Sequence, residues 1–537
     1  MDKAEETYDP QDFEDTRSMD DELSVERLTM AMLPFLGFDP SPAQFKRRME
    51  WEEIAMKVID DLAIGNTSLV ADTGAGKTII ALLAIIARGW RTLFLTPQRY
   101  LACQHQRLLD KITAESVRSR VITGLVRKAR REWHAEDRIV FATPHIALND
   151  WRRGMLDLGR FDLIVEDEFH KATGAYPYVP LAEEARKRGL KILSLSASPG
   201  GSLDKIVAVT DNCDIKEWVR AEIQTPAKYE HIEPAQPDKT LKEIEQLFKD
   251  LLKDAALDLV SCGIELSENE IVPIKELLGL RKKIDSIQDK GRRCFAMSAH
   301  ARYIKLRFAL TLAVTENYDA FMEYAIGLKD DGTRAAERIL KMHKFLQIYA
   351  MAKANRATHP KLVSLVSTMQ ALKERNRNAI VFISNKSSAR GLHRHLLAAG
   401  IRVDVVFGGT DKDLAHQEEV LDKLAQREID CVIGTSVIEE GVSIAEVDTV
   451  IHYSMPVTEI SRMQRSGRTG RIRGGEVIYL AIDHPMDMLM YYVTRSGQRR
   501  MRKIVKEGLQ SPLIRKKLAR HRNRINQQAF AFMKDED

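Results

Sequence analysis

A chain of 537 residues exceeds the size at which one hydrophobic core stops growing, so two or three domains are expected. Apolar content of 44% and charged content of 30% are ordinary for a globular protein, and no apolar run is long enough to cross a bilayer. The net charge of +5 says less than its distribution, and the five scattered cysteines contain no C-x-x-C pair, which argues for reduced thiols in a cytoplasmic protein (nucleoid-associated in a prokaryote) over a zinc site or disulfide framework.

The first residues carry many carboxylates, Asp2, Glu5, Glu6, Asp9 and Asp12 among them, and little apolar material, so residues 1–40 are expected to form an acidic, disordered lead. From about residue 45 to 230, apolar runs at 67–71, 92–96, 138–142, 161–166 and 191–196 alternate with helical material. That is the signature of a parallel sheet with crossover helices, whose functional residues are expected just beyond the carboxyl ends of the strands.

The first of these runs opens the stretch Leu69–Ile80, LVADTGAGKTII. Gly74 and Gly76 permit a tight turn whose N–H groups converge on one concavity, suited to a polyphosphate. Thr73, Gly74, Ala75, Gly76, Lys77 and Thr78 are therefore candidate nucleotide-binding residues. Lys77 is expected to reach the β- and γ-phosphates of ATP, and Thr78 to give its hydroxyl to Mg²⁺. Ala71 stands where the strict phosphate-loop pattern has its first glycine. Further on, FDLIVEDEFH places Asp167 and Glu168 at the end of an apolar run. Asp167 is expected to hold Mg²⁺ through its water shell, and Glu168 to orient and deprotonate the attacking water.

Residues from about 238 to 357 break the alternation and show apolar spacing of three and four, predicting an all-helical insert. Its basic stretch comprises Arg281, Lys282, Lys283, Lys290, Arg292, Arg293 and Arg302. Strand-like runs return at 378–384, 402–407, 429–434 and 447–452, predicting a second parallel sheet. Arg468 and Arg471 are three apart on a predicted helix, hence on one face, where planar cations suit transition-state phosphoryl oxygens. Lys77 and Arg471 then lie in different domains, so ATP is expected in the cleft between the sheets. The last forty residues are strongly basic, with Arg515, Lys516, Lys517, Arg520, Arg522 and Arg524 close together, as for contact with phosphate backbone.

Taken together, ADTGAGKT, TPQRYL (96–101), ATPH (142–145), DEFH (167–170) and SAS (196–198) resemble the first motor domain of superfamily 2 helicases of the DEAH-like kind. VFISN (381–385), TSVIEEGVSI (435–444) and QRSGRTGR (464–471) resemble motifs IV, V and VI of the second. Within the superfamily, DEFHKATGAYPYV, SLSASPGG, HPKL (359–362) and SVIEEGVSIAEVD are similar to the archaeal Hef and Fanconi anaemia M-type helicases, over the helicase part and with no counterpart of the Hef nuclease domain. The resemblance implies an α/β fold of two RecA-like parallel-sheet motor domains with a helical insert between them. The expected bounds are 41–235 for the first motor domain, 236–357 for the insert, 358–495 for the second motor domain and 496–537 for a basic helical tail.

The resemblance also implies that Gln464, Arg468 and Arg471 act in hydrolysis and that Gly441 contacts the nucleotide. It implies nucleic-acid backbone contacts at Arg99, Thr143, Pro144, His145, Ser384, Asn385, Thr435 and Ser436, and an insert that engages branched or duplex DNA. Three departures stand out: Trp51–Glu52 where relatives carry an adenine-reading glutamine, Phe169 where alanine is usual, and Ser443 where aspartate is usual. The expected function is an ATP- and Mg²⁺-dependent translocase or helicase that remodels branched DNA in repair, with separate nuclease or repair proteins as partners. A duplex-RNA motor and a catalytically weak nucleic-acid scaffold are the alternatives.

Overall fold

The computed structural model describes residues 42–113, 115–124, 132–200, 202–223, 227–267, 271–407, 411–435, 438, 447–469, 474–508, 511–512 and 514–521. The expected acidic lead lies outside them. The chain forms two compact units, Met1–Gln224 with Met501–Asp537, and Thr225–Arg500.

The first unit runs α1 (Pro42–Ile64), β1 (Thr67–Ala71), α2 (Lys77–Arg88), β2 (Thr92–Leu95), α3 (Arg99–Ile112), β3 (Ser119–Ile122), β4 (Ile139–Ala142), α4 (Pro144–Arg152), β5 (Leu163–Asp167), α5 (Tyr178–Arg188), β6 (Lys191–Ser196), α6 (Leu203–Asn212) and β7 (Glu217–Ala221). Its seven strands are ordered β3-β4-β2-β5-β6-β1-β7, and every pairing is parallel. Alternate residues of one strand feed opposite faces. Phe94, Phe141, Val165 and Leu193 join the cluster under α1 and α2, whereas Leu93, Val140, Ile164 and Ile192 join the one under α4 and α5. Helices on both faces leave no wet side, which is why these strands read as near-continuous apolar runs. Phe169 is fully buried in the second cluster, so the bulky substitution fills core volume beside α5 and α6.

The second unit opens with β8 (Lys228–Ala235) and continues through six helices: α7 (Lys239–Ser261), α8 (Ile274–Asp285), α9 (Lys290–Thr311), α10 (Tyr318–Gly327), α11 (Arg334–Leu340) and α12 (His343–Ala354). A single π-helical turn, Leu312–Glu316, follows α9. Then come α13 (Pro360–Glu374), β9 (Ala379–Phe382), α14 (Lys386–Ala398), β10 (Val403–Val406), α15 (Asp411–Ala425), β11 (Cys431–Gly434), β12 (Thr449–His452), α16 (Glu459–Ser466), β13 (Gly475–Ile482) and α17 (Pro485–Glu507). The sheet order is β10-β11-β9-β12-β13-β8, again all parallel.

Two domain bounds differ from the sequence reading. Residues 228–235, expected to close the first domain, form the edge strand of the second sheet, paired with β13 from Gly475↔Lys228 to Ile482↔Ala235. An edge strand with a half-exposed sequence, KYEHIEPA, lacks the apolar continuity that marks a central parallel strand. The expected start of the tail at 496 falls inside α17, a continuous helix whose residues from Met501 onward belong to the first unit. The insert packs its own core from α7, α9, α10 and α12, with Phe248, Phe321 and Phe345 in edge-to-face contact. Of its basic stretch, Arg302 is buried against Asp258 and is withdrawn from the surface.

Candidate active site

The sheet order of the first unit brings β5, β6 and β1 side by side, so that the segments leaving their carboxyl ends share one edge. The segment after β1 is the phosphate loop. Gly76 has φ 90° and forms the N-cap of α2 without a side-chain cap, and no acidic residue occupies the first turn. The first N–H groups of α2 are thus presented to an anion along with the positive end of its dipole. A Cβ at Gly76 would lie 2.7 Å from Trp51 Nε1, so both the positive φ and the close approach require glycine. Trp51 is buried, and its indole N–H donates to Ala75 O at 2.9 Å. The residue at the expected adenine-reading position therefore clamps the phosphate loop. Lys77 Nζ folds back on the loop, donating to Ala71 O at 2.9 Å and to Asp72 O at 3.3 Å. These carbonyls solvate an ammonium that phosphate oxygens can take over.

Asp167 closes β5 and is 7% exposed. Its Oδ1 accepts from Glu168 N at 3.0 Å, and its Oδ2 lies 3.3 Å from His105 Nε2. Tyr178 anchors the same strand end, donating to Asp167 O at 2.5 Å with Leu95 O at 3.2 Å. Glu168 adopts the left-handed conformation (φ 53°, ψ 46°), which is uncommon for a residue with a Cβ and turns its side chain away from the strand direction. Its Oε2 lies 3.2 Å from His170 Nδ1, which is also 3.3 Å from Ser196 Oγ. Burial pushes the Glu168 carboxyl up, but the hydrogen bond and charge of His170 together with Lys77 and Lys171 outweigh it and hold the group below the usual carboxylate range. Ser196 Oγ in turn donates to Ser198 O at 2.7 Å and accepts from Ser198 N at 3.0 Å, and Ser198 Oγ bonds to Met501 Sδ. His170 thus joins the DEFH turn to the SAS turn. The sequence reading gives no role to either His105 or His170. The DEFH motif marked His170, whereas no local signal marked His105, which lies 62 residues before its partner.

Asp167 and Thr78 fit a Mg²⁺ ion held by one carboxylate, one hydroxyl, water and substrate phosphates. Among the described residues, no group of three or more His, Cys, Asp or Glu could form an all-protein metal cage.

Of the expected nucleic-acid residues in this unit, Arg99 starts α3 just after β2, and Thr143, Pro144 and His145 open α4 just after β4. Strands β2 and β4 are neighbours, so all four lie at one sheet edge. Arg99 and His145 are exposed, and His145 packs edge-to-face on Tyr176 at 5.5 Å. In the second unit, Ser384 and Asn385 follow β9, with Asn385 Oδ1 capping α14 through Ser388 N at 2.7 Å. Thr435 follows β11, which pairs with β9. Ser436, Gly441, Ser443 and Arg471 lie outside the described residues.

The expectation that Arg468 sits on a helix face is corrected. Helix α16 ends at Ser466 with Gly467 as its C-cap, and Arg468 N closes a turn onto Arg465 O at 3.0 Å. Thr469 Oγ1 then bonds Val447 O at 2.5 Å and makes a parallel bridge there, which draws the chain out of the helix. Gln464 and Arg468 are both buried. Two other arginines of α16, unmarked in the sequence reading, build this region. Arg462 stacks on Tyr479 at 4.0 Å and pairs with Glu230 Oε2 at 3.1 Å. Arg465 lies over the Phe382 ring at 5.2 Å and donates to Ser454 O at 3.1 Å.

A phosphate loop after β1 and an acidic pair at the end of β5, two positions apart in one parallel sheet and joined in one chain to a second parallel sheet, are the features of a two-sheet nucleotide-driven motor ATPase fold. Residues 52–206 match the DEAD/DEAH box helicase family and residues 360–473 the helicase conserved C-terminal domain, together about half of the chain. The chain belongs to the superfamily 2 helicases. It is 27% identical over 82% of its length to a Methanocaldococcus jannaschii protein provisionally named as an ATP-dependent RNA helicase, covering 59% of that protein. It is 24% identical over 84% of its length to the ATP-dependent DNA helicase MPH1 of Pyricularia oryzae, covering 45% of it. The chain thus spans about half the length of these curated relatives. The crystal structure of the Pyrococcus furiosus Hef helicase domain matches with TM-score 0.58 and 27% identity, over 82% of this chain and 97% of that one.

Proposed function

We propose that the chain is an ATP- and Mg²⁺-dependent motor that translocates on or unwinds nucleic acid, with branched DNA as its substrate. The observation that carries the motor reading is the phosphate loop in place at the start of α2, with Lys77 on its carbonyls and the Asp167–Glu168 turn two strands away. The loop N–H groups and Lys77 bind the triphosphate, and Thr78 and Asp167 hold the Mg²⁺, which neutralises charge on the phosphates when bound. Glu168, held ionised and aimed by its left-handed backbone and by His170, accepts the proton of the attacking water. Gln464, Arg468 and Arg471 are assigned to the same reaction by motif. His170 and Ser196 tie the hydrolytic turn to the SAS turn, a direct mechanical route from hydrolysis to the rest of the unit. DNA is favoured by the DNA helicase name of the fungal relative and by the Hef-like sequence markers. Among the described residues no helix is long and apolar enough to cross a membrane.

The test is steady-state ATP turnover with no nucleic acid, single-stranded DNA, duplex DNA, forked DNA and duplex RNA, with Lys77→Ala as the blank. Stimulation greatest on forked DNA and lost in the blank is expected. A preference for duplex RNA, which the archaeal relative's name would favour, moves the substrate to RNA. A flat, blank-like rate on every substrate leaves a binding scaffold.

A further inference from the structure

The π-helical turn Leu312–Glu316 at the end of α9 leaves helix-end carbonyls that need donors, and each donor comes from the motor part of the same unit. His359 Nε2 lies 3.1 Å from Ala313 O, Lys361 Nζ donates to Thr315 O at 2.8 Å, and Tyr453 OH donates to Glu316 O at 2.6 Å. The Lys361 ammonium is wholly buried and also pairs with Asp487 Oδ2 at 2.6 Å, while that carboxylate accepts Ile482 N at 3.1 Å. The HPKL segment is thereby explained: its histidine and lysine close the end of an insert helix, with the cation at the negative end of the helix dipole.

The Glu316 side chain then continues the connection outward. Its Oε1 accepts from Ser454 Oγ at 2.7 Å, and Ser454 Oγ accepts from Ser384 N at 2.9 Å. Glu316 is 7% exposed and Ser454 3%, so water does not compete with either bond. Glu316 Oε2 is buried with no hydrogen-bond partner among the described residues. A group with half of its hydrogen-bonding capacity unmet contributes little to stability for its own sake. What it does accomplish is geometric. The amide it holds through Ser454 belongs to the turn at the carboxyl end of β9 formed by exposed Ser384 and half-buried Asn385, where a backbone phosphate is expected, and Asn317 Nδ2 adds a bond to Ser388 O at 3.4 Å in the helix that follows. The carbonyl of Ser454 also receives Arg465 of α16, the helix bearing Gln464.

We infer that Glu316 is a positioning residue through which the helical insert holds the Ser384–Asn385 turn in the conformation that meets nucleic-acid phosphate. The inference rests on the proposed function for its nucleic-acid part and on geometry alone for the positioning part. Loading of the insert by DNA would bear on the π turn and, through Glu316 and Ser454, on the backbone of that turn.

The test combines amide hydrogen exchange at Ser384 with forked-DNA affinity by fluorescence anisotropy, in the full chain. Glu316→Ala is expected to speed exchange at Ser384 roughly tenfold, the loss of one buried hydrogen bond, and to weaken DNA binding by a similar factor while nucleic-acid-free ATP turnover stays within about twofold. Glu316→Gln keeps an acceptor for the Ser454 hydroxyl and is expected to restore both. Ser454→Ala removes the hydroxyl that itself accepts the Ser384 N–H and is expected to set the upper limit of exchange there, and if Glu316→Ala fails to fold, Glu316→Asp, whose shorter side chain withdraws the acceptor from Ser454, decides the question by the same readout. Wild-type exchange at Ser384 in both Glu316 truncations overturns the positioning role, as does faster exchange with unchanged DNA affinity. Absence of DNA binding by the wild type defeats the proposed function and the nucleic-acid half of this inference, while the exchange data still decide the positioning half.

Discussion

The phosphate-loop site of the first unit and the insert junction of the second are built in opposite ways. In the first, short contiguous segments supply both the functional groups and the backbone that aims them: Gly76 and Lys77 are adjacent, as are Asp167 and Glu168, and left-handed φ values at Gly76 and Glu168 do the aiming. In the second, every decisive contact is long-range. Glu316 meets Ser454 across 138 residues, Lys361 meets Asp487 across 126, and Ser384 meets Ser454 across 70. The first site is intolerant of backbone change at Gly76. The junction tolerates its loops and depends on buried partners being present.

Each construction predicts its own response to substitution. The largest effect is expected for Lys77→Ala, which removes the only loop side chain suited to the γ-phosphate. Nucleic-acid-stimulated turnover should fall by on the order of 10²–10³ or more, with an unchanged melting temperature. Lys361→Ala is the counterpart in the second unit. It leaves Asp487 and the Thr315 carbonyl buried without their cation, and denaturant unfolding should show a loss of about 3–5 kcal/mol. Gly76→Ala imposes a left-handed φ on alanine and drives its Cβ into the Trp51 ring, so a cost of about 1–3 kcal/mol and weaker nucleotide binding in a fluorescent-nucleotide titration are expected.

A smaller effect concerns pH. Glu166 is fully buried behind the acidic pair, and burial pushes its carboxyl up from 4.5 to about 7, with Cys213 and Ser194 opposing through hydrogen bonds. The folded state therefore retains a proton that the unfolded state has lost. Stability from this group is complete below pH 4.5 and declines as pH rises to about 7, above which it is constant. Chemical denaturation of Glu166→Gln across that range should show a flatter profile than the parent. Smallest is Trp51→Phe, which keeps the ring against Gly76 and removes only the bond to Ala75 O. It should cost about 1 kcal/mol, read as a severalfold rise in nucleotide Kd, and equal binding would make the clamp one of shape alone.

The same contrast between local and long-range contacts separates what is legible in the sequence from what is not. Strands β1, β2, β4, β5 and β6 were legible because burial on both faces forces continuous apolar runs, and the phosphate loop because its function requires small residues next to one lysine. Edge strand β8 reads as the close of the first domain, since half-exposed edges carry no such run and only pairing with β13 shows which sheet owns it. The end of α16 is not legible because glycine is a weak stop signal alone, and the Thr469–Val447 bridge that enforces it is a tertiary contact. Trp51 reads in the sequence as a departure at an adenine-reading position, yet its role as a clamp emerges only where α1 packs on the loop.

By itself, then, the sequence determined the class of fold, two nucleotide-motor sheets with a helical insert, and it named the residues proposed to handle phosphate and water. Both follow from local demands of periodicity, backbone freedom and charge that neighbouring residues must satisfy together. Only the tertiary structure decided which side chains hold those residues in place: His105 on Asp167, His170 between Glu168 and Ser196, and Glu316 behind Ser384. A buried polar group must find a partner somewhere, but which one it finds is set by how distant elements pack, and that leaves no local trace in the chain.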